Sequence, residues 1–98
     1  MKNIVALDIE TLRVTRRYKA GYGVRELSLY RARRRLAAGN YFDGSVDVID
    51  TRTGRNIKHF NVGPLVRGVA VDPTNGNIYV SWTCGISLLK LEKNGVGP

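Results

Sequence analysis

Ninety-eight residues, 43% of them hydrophobic and 24% charged, make at most one ordinary globular domain and exclude a disordered or membrane-like composition. No apolar run approaches the roughly eighteen residues of a transmembrane helix, and a single Cys and a single His exclude an intramolecular disulfide and a four-cysteine metal site. Sixteen Lys and Arg against eight Asp and Glu leave a net charge of +8; this favours acidic partners such as nucleic acid, anionic lipid or acidic protein, and equally serves to keep a β-rich surface soluble.

The first stretch, MKNIVALDIETLRV, has one Lys and a short apolar run interrupted by Asp8 and Glu10. It lacks a small-residue cleavage site and reads as a strand rather than a signal peptide. From there the chain alternates short β-branched or aromatic runs with Gly, Asn, Asp and Pro, which predicts nine strands near 3–9, 12–18, 24–29, 35–40, 45–50, 56–61, 66–71, 77–82 and 86–91. Thr53-Gly54 and Asn75-Gly76 are the clearest hairpin turns, because Gly supplies the positive φ that such turns demand. Helix content should be near zero.

The stretch from Asn40 to Val71 is one cycle of a repeat. Displaced by 42 positions, Asp8 falls on Asp50, Thr11 on Thr53, Arg13 on Arg55, Gly21 on Gly63 and Val24-Arg25 on Val66-Arg67, while apolar residues keep apolar partners. After Asn40 the separation becomes 40, so a loop differs by two residues between copies. A period of about 40–45 residues suits four-stranded propeller blades or two-helix repeats. The strand-length runs select the blades.

The segment NYFDGSVDVIDTRTGRNIKHFNVGPLVRGVAVDPTNGNIYVSW resembles the YVTN-type β-propeller repeat, with its Asn-aromatic loop, valine-rich strand ending Ile-Asp, Thr-Gly turn and Gly-Pro-x-x-Arg-Gly-Val-Ala-Val-Asp-Pro run. The resemblance implies an all-β chain of antiparallel four-stranded blades, lettered A to D from the central channel outward. Residues 1–20 would be strands C and D of one blade, 24–61 a complete blade, 66–91 strands A to C of a third, and 92–98 a tail. That is about two and a quarter blades. Propellers have at least four, and a blade face of ~300 Å² left wet forgoes about 8 kcal/mol. Further blades must therefore cover it, from a self-associating copy or from the rest of a longer chain.

By the same resemblance, the loops at 20–23, 40–44, 62–65 and 82–85 open around the central channel, where ligands are commonly bound. Arg25 and Arg67 hold one repeat position there and would grip a carboxylate or phosphate bidentately, with Asn40, Tyr41, Asp43 and Trp82 adding polar groups and a stacking surface. The competing reading makes the arginines partners of loop carbonyls or neighbouring acids, and the others turn and packing residues. Asp8 and Asp50 read as turn carboxylates accepting backbone N–H groups. His59 sits on an outer strand with no partner nearby in sequence, and Cys84 reads as a small loop residue.

Arg31, Arg33, Arg34 and Arg35 replace the Pro73–Asn77 turn chemistry of the other copy. This basic patch belongs at the end opposite the channel-mouth loops, where it would neutralise phosphates or simply be a solvated turn. No convergent acid, base, nucleophile or metal set is present, and no cofactor is expected. The sequence thus favours a non-catalytic binding or scaffold segment for a protein or an anionic small ligand. A segment of a propeller enzyme, such as a quinoprotein-like dehydrogenase or a lyase with catalytic residues on other blades, is the alternative, and a nucleic-acid-binding surface is a second one. Propellers of this type are found exported, at the cell surface or in the cytoplasm, so the compartment stays open.

Overall fold

The computed structural model describes residues 3–90, which form nine strands and one short turn of 3-10 helix. They build three antiparallel sheets in chain order. The first pairs β1 (Asn3–Leu7) with β2 (Val14–Lys19); the second runs β3 (Val24–Tyr30), β4 (Arg35–Asn40), β5 (Ser45–Asp50), β6 (Asn56–Asn61); the third runs β7 (Gly68–Val71), β8 (Ile78–Trp82), β9 (Gly85–Leu89). The predicted tail at 92–98 and Leu91 lie outside the described residues. All nine predicted strands are present. The main boundary differences are a wider first turn, since Asp8 and Arg13 close it by a backbone bond of 3.0 Å, and a third sheet that starts at Gly68 rather than at residue 66.

Turn chemistry accounts for the hairpins. Asp50 Oδ1 accepts the N–H groups of Arg52 and Thr53 at 2.8 and 3.3 Å, and Asp8 Oδ1 those of Glu10 and Thr11 at 2.8 and 3.1 Å. Both carboxyls consequently titrate below the usual carboxylate range, chiefly because of these backbone bonds. The repeat also explains three unusual backbones. Leu12, Arg34 and Leu65 have φ of 61°, 54° and 59°, and one repeat along, at 54, 76 and 23, each is matched by a glycine with φ between 77° and 81°. The left-handed turn is thus a property of the repeat, and three copies meet it with a side chain that disfavours it. Arg34 does so at the end of the 3-10 turn, Arg31–Arg33, which replaces the Asx-type turn of the third sheet.

Burial follows the period of two. On β5, Val46 and Val48 point toward the third sheet and pack with Ala37, Val66, Val69, Ile78 and Val80, whereas Ile49 points the other way and packs with Ala38, Ile4 and Tyr18 of the first sheet. The middle of the second sheet is therefore buried on both faces, which is why SVDVI is buried throughout, while the outer strands β3 and β6 of that sheet, like β2, are mostly exposed. The sheets also bond across: Tyr18 Oη donates to the Thr51 carbonyl at 3.1 Å, and the Val71 N–H to Ser28 Oγ at 3.0 Å.

The outermost surfaces lack such cover. Leu27 and Leu29 of β3 are 47% and 53% exposed, although the repeat equivalent of Leu27, Val69, is only 7% exposed beneath the second sheet. On the far side of the third sheet, Tyr79 and Leu88 are 46% exposed and Ile86 more so; their repeat equivalents Ala37, Val48 and Val46 are buried. Among the described residues, β1 has a single hydrogen-bonded neighbour, β2, so no inner strand stands over Leu27 and Leu29.

Candidate functional site

The most developed polar constellation lies between the first two sheets. The antiparallel register places His59 directly opposite Asp47, and His59 Nδ1 lies 2.6 Å from Asp47 Oδ1. Asn56 Nδ2 donates to the same oxygen at 2.9 Å, while Asp47 Oδ2 accepts Asn40 Nδ2 at 2.9 Å and the Gly21 N–H at 2.7 Å. Asn40 Nδ2 also reaches Ser45 Oγ at 3.0 Å, and Asn40 Oδ1 is buried without a donor among the described residues. Gly21 is required for this approach, because a Cβ there would stand 2.6 Å from Asn40 Nδ2.

Opposing effects set the charge states. Burial alone would raise the Asp47 carboxyl, but bonds from Asn56, His59, Asn40 and Gly21 outweigh it and hold the pKa below the ordinary value. An ionised carboxylate only accepts, so His59 Nδ1 carries the proton of this bond. The imidazole is raised above its ordinary value, chiefly by the Asp47 bond, against some desolvation, with Asn61 and the more distant Asp43 adding to the rise. The His59 side chain remains 45% exposed and, with Asp47 and Asn56, lines an open cleft of about 540 Å³. Arg17, Lys19, Ala20, Gly21 and Gly54 form the rest of its lining.

The residues expected at the channel mouth are distributed over local structures. The Arg25 guanidinium carbon lies 5.0 Å from the Tyr41 ring centroid, a cation–π contact. Tyr41 in turn meets Phe42 edge-on at 5.2 Å, and Phe42 meets Tyr22 at 5.5 Å. Asn40 is wholly buried within the Asp47 network rather than in an open loop. Asp43 Oδ2 accepts the Tyr22 N–H at 2.7 Å. Trp82 Nε1 donates to Ser87 Oγ at 2.9 Å with its ring against Gly63, and the Arg67 N–H donates to the Ser81 carbonyl at 2.8 Å. Arg25 and Tyr41 are thus brought together, while Asn40, Asp43 and Trp82 each serve bonds of their own.

Arg31, Arg33, Arg34 and Arg35 lie at the opposite end, where the β1–β2, β3–β4 and β5–β6 turns also carry Arg13, Arg52 and Arg55. The Thr51 N–H and Oγ both bond the Arg34 carbonyl, at 2.8 and 3.0 Å, tying two of these turns together. Among the described residues the one ion pair is His59–Asp47. Of the acids at this end, Asp8, Asp50 and Asp72 accept backbone N–H groups, and Glu10 of the β1–β2 turn is exposed. No group of three His, Cys, Asp or Glu able to hold a metal occurs among the described residues, and Cys84 is exposed and unpaired.

The arrangement of these sheets has close counterparts. The β-propeller domain of Cps50 (Swd1) from Myceliophteria thermophila superimposes with a TM-score of 0.84 at 20% identity, over 94% of this chain and 30% of that one. The chain is a segment of β-propeller structure. Hydrazine synthase from Kuenenia stuttgartiensis matches with a TM-score of 0.83 at 20% identity, over 92% of this chain and 27% of that one. The propeller segment spans less than a third of either chain, and identities this low speak for the fold alone. No family model and no curated protein sequence matches it.

With the three sheets as blades, the Asp47 network occupies the joint between the first and second. The Gly21 loop connects them and Asp47 fastens it. His59 is the member that sequence reasoning left without a partner. The Thr53-Gly54 turn, closed by the Asp50–Arg55 backbone bond, would by itself set 47 opposite 58; the β-bulge between Val48 and Ile49 shifts the ladder by one and brings His59 to Asp47, and no sequence signal marked that bulge.

Proposed function

We propose that this chain is a non-catalytic binding or scaffold segment of a β-propeller, whose apolar end surfaces are covered by further blades in the working assembly. The observation that carries the reading is the contrast between equivalent positions: Leu27 is 47% exposed, whereas its equivalent Val69, under a neighbouring blade, is 7% exposed. The Tyr79, Ile86 and Leu88 surface is the same contrast at the other end. Removing such side chains from water stabilises by about 1.5–3 kcal/mol each when burial is complete, so each surface has a strong affinity for a partner built as a blade.

The register narrows how that partner docks. A neighbouring copy completing the first blade would lay its β8 along the open edge of β1, yet five residue pairs already join β8 to β9. A ring of copies therefore requires β9 to give up that place, whereas further blades of a longer polypeptide do not. Substituting Tyr79→Asp places a charge at the centre of the far surface. The expected result is loss of the associated species in size-exclusion chromatography with light scattering; an unchanged native mass would remove this surface from the interface.

In the completed propeller, Arg25 and Arg67 recur around the channel mouth and would offer cations to an anionic ligand or acidic protein. A second reading is favoured by the opposite end. Three turns present Arg13, Arg31, Arg33, Arg34, Arg35, Arg52 and Arg55, none of them in a direct ion pair among the described residues although Asp50 acts electrostatically on Arg52 and Arg35, an excess of cations that suits a polyanion such as nucleic acid.

A further inference from the structure

The cleft beside His59 differs from the uncovered surfaces in one respect that matters. Its walls are β2 on one side and β5–β6 on the other, all strands that the chain itself supplies, so it exists whether or not further blades are added. Its volume, about 540 Å³, falls in the range of small-molecule sites, roughly 300–1,000 Å³.

The donors around it are held in unequal ways. His59 is fixed through Nδ1 by Asp47 and also interacts with the Asn61 side chain; Nε2 is the nitrogen not engaged by the carboxylate. Asn56 is fixed by the same carboxylate. Asp47 is itself 2% exposed and already accepts four bonds, so its charge is spent on the protein. Arg17 and Lys19 belong to β2, an edge strand; Tyr18 between them faces the second sheet, so their side chains leave the strand on its other face and border the cleft at its rim, and they form no ion pair among the described residues. The charged groups lining the cleft are then Arg17, Lys19 and protonated His59 against Asp47 alone, an excess of two positive charges when the imidazole is protonated.

We propose that this cleft between the first and second blades binds a phosphate-bearing small molecule, with His59, Asn56, Lys19 and Arg17 as its donors. A dianionic oxyanion matches the charge excess and takes several donors at once, where a monocarboxylate matches only part of it. Asp47 acts as a positioning residue: it fixes the imidazole and the Asn56 amide and does not touch the ligand. The proposal is independent of how the ring is completed.

The single histidine makes the test clean, because the imidazole signals in a ¹H–¹⁵N spectrum belong to His59 alone. The chain at pH 6, in a phosphate-free buffer of fixed ionic strength, is titrated with glycerol phosphate, a phosphate monoester about half dianionic at that pH, and, separately, with acetate. Glycerol phosphate should shift the His59 signals saturably, and acetate should bind at least about tenfold more weakly. The double variant R17S/K19S, changed at exposed positions only, should weaken glycerol phosphate by about tenfold or more, while R31S/R33S should leave it unchanged. A linear, non-saturating shift with glycerol phosphate, equal affinity for acetate, or glycerol phosphate binding unaffected in R17S/K19S would each overturn the assignment.

Discussion

Replacing Asp47 by Ala removes the one acceptor shared by four donors, and the structure indicates what that costs. Asn40 is fully buried and the Gly21 N–H lies in the part-buried joint between blades, so neither has ready access to water once the carboxylate is gone. Leaving a buried donor unpaired costs about 1–3 kcal/mol. His59 and Asn56 face the cleft and recover most of their bonds from solvent. Asn40 Nδ2 keeps its bond to Ser45 Oγ, and the expected destabilisation from the Asn40 and Gly21 donors together is about 2–4 kcal/mol. Urea denaturation at one fixed protein concentration measures it, because any association also contributes to stability.

The same network predicts a pH profile. His59 titrates above its ordinary value, so its stabilising share is complete below about pH 6.5 and is lost as pH rises through the folded-state value. Asp47 titrates below its ordinary value, so its share is present above about pH 3.9 and is lost as pH falls through the folded-state value. The network therefore contributes most between about pH 4 and about pH 6.5. Asp47→Ala should flatten this window as well as lower stability. A loss under about 1 kcal/mol, with the pH profile unchanged, would refute the assignment of Asp47 as the fastener of the joint.

Two further outcomes are expected. Leu12→Gly and Leu65→Gly, at positions where the repeat elsewhere uses glycine with positive φ, should each raise stability by about 0.5–1 kcal/mol, read as a higher urea midpoint at unchanged slope. Retention on heparin should fall steeply with salt, and should be largely lost when Arg31, Arg33, Arg34 and Arg35 become Ser; retention that survives this change places the polyanion contact elsewhere.

The blades were readable because their causes are local and repeated. Gly54 and the Asp50 turn specify a hairpin, and the β-branched run of Val46, Val48 and Ile49 specifies a strand buried on both faces, with Val46 and Val48 on one face and Ile49 on the other. The site was less readable because its members meet across strands and loops. Asn40 ends a strand and has the sequence neighbours of a loop residue, yet the Gly21 loop, 19 residues earlier, closes over it. Asp47 and His59 are 12 residues apart and become partners only through the turn between them together with the bulge at Val48 and Ile49, which shifts the register by one. The basic end was legible as composition at Arg31–Arg35, but Arg13, Arg52 and Arg55 joined it only when the three turns were seen at one end of the fold.

The end surfaces around Leu27, Leu29, Tyr79 and Leu88 demand cover. The native mass of the 10.9 kDa chain, taken by light scattering alongside a thermal melt, is the most direct measurement. Further blades as partners predict a mass that is a multiple of the chain's, or a chain by itself that melts without cooperativity; a monomer with one sharp cooperative transition would contradict it.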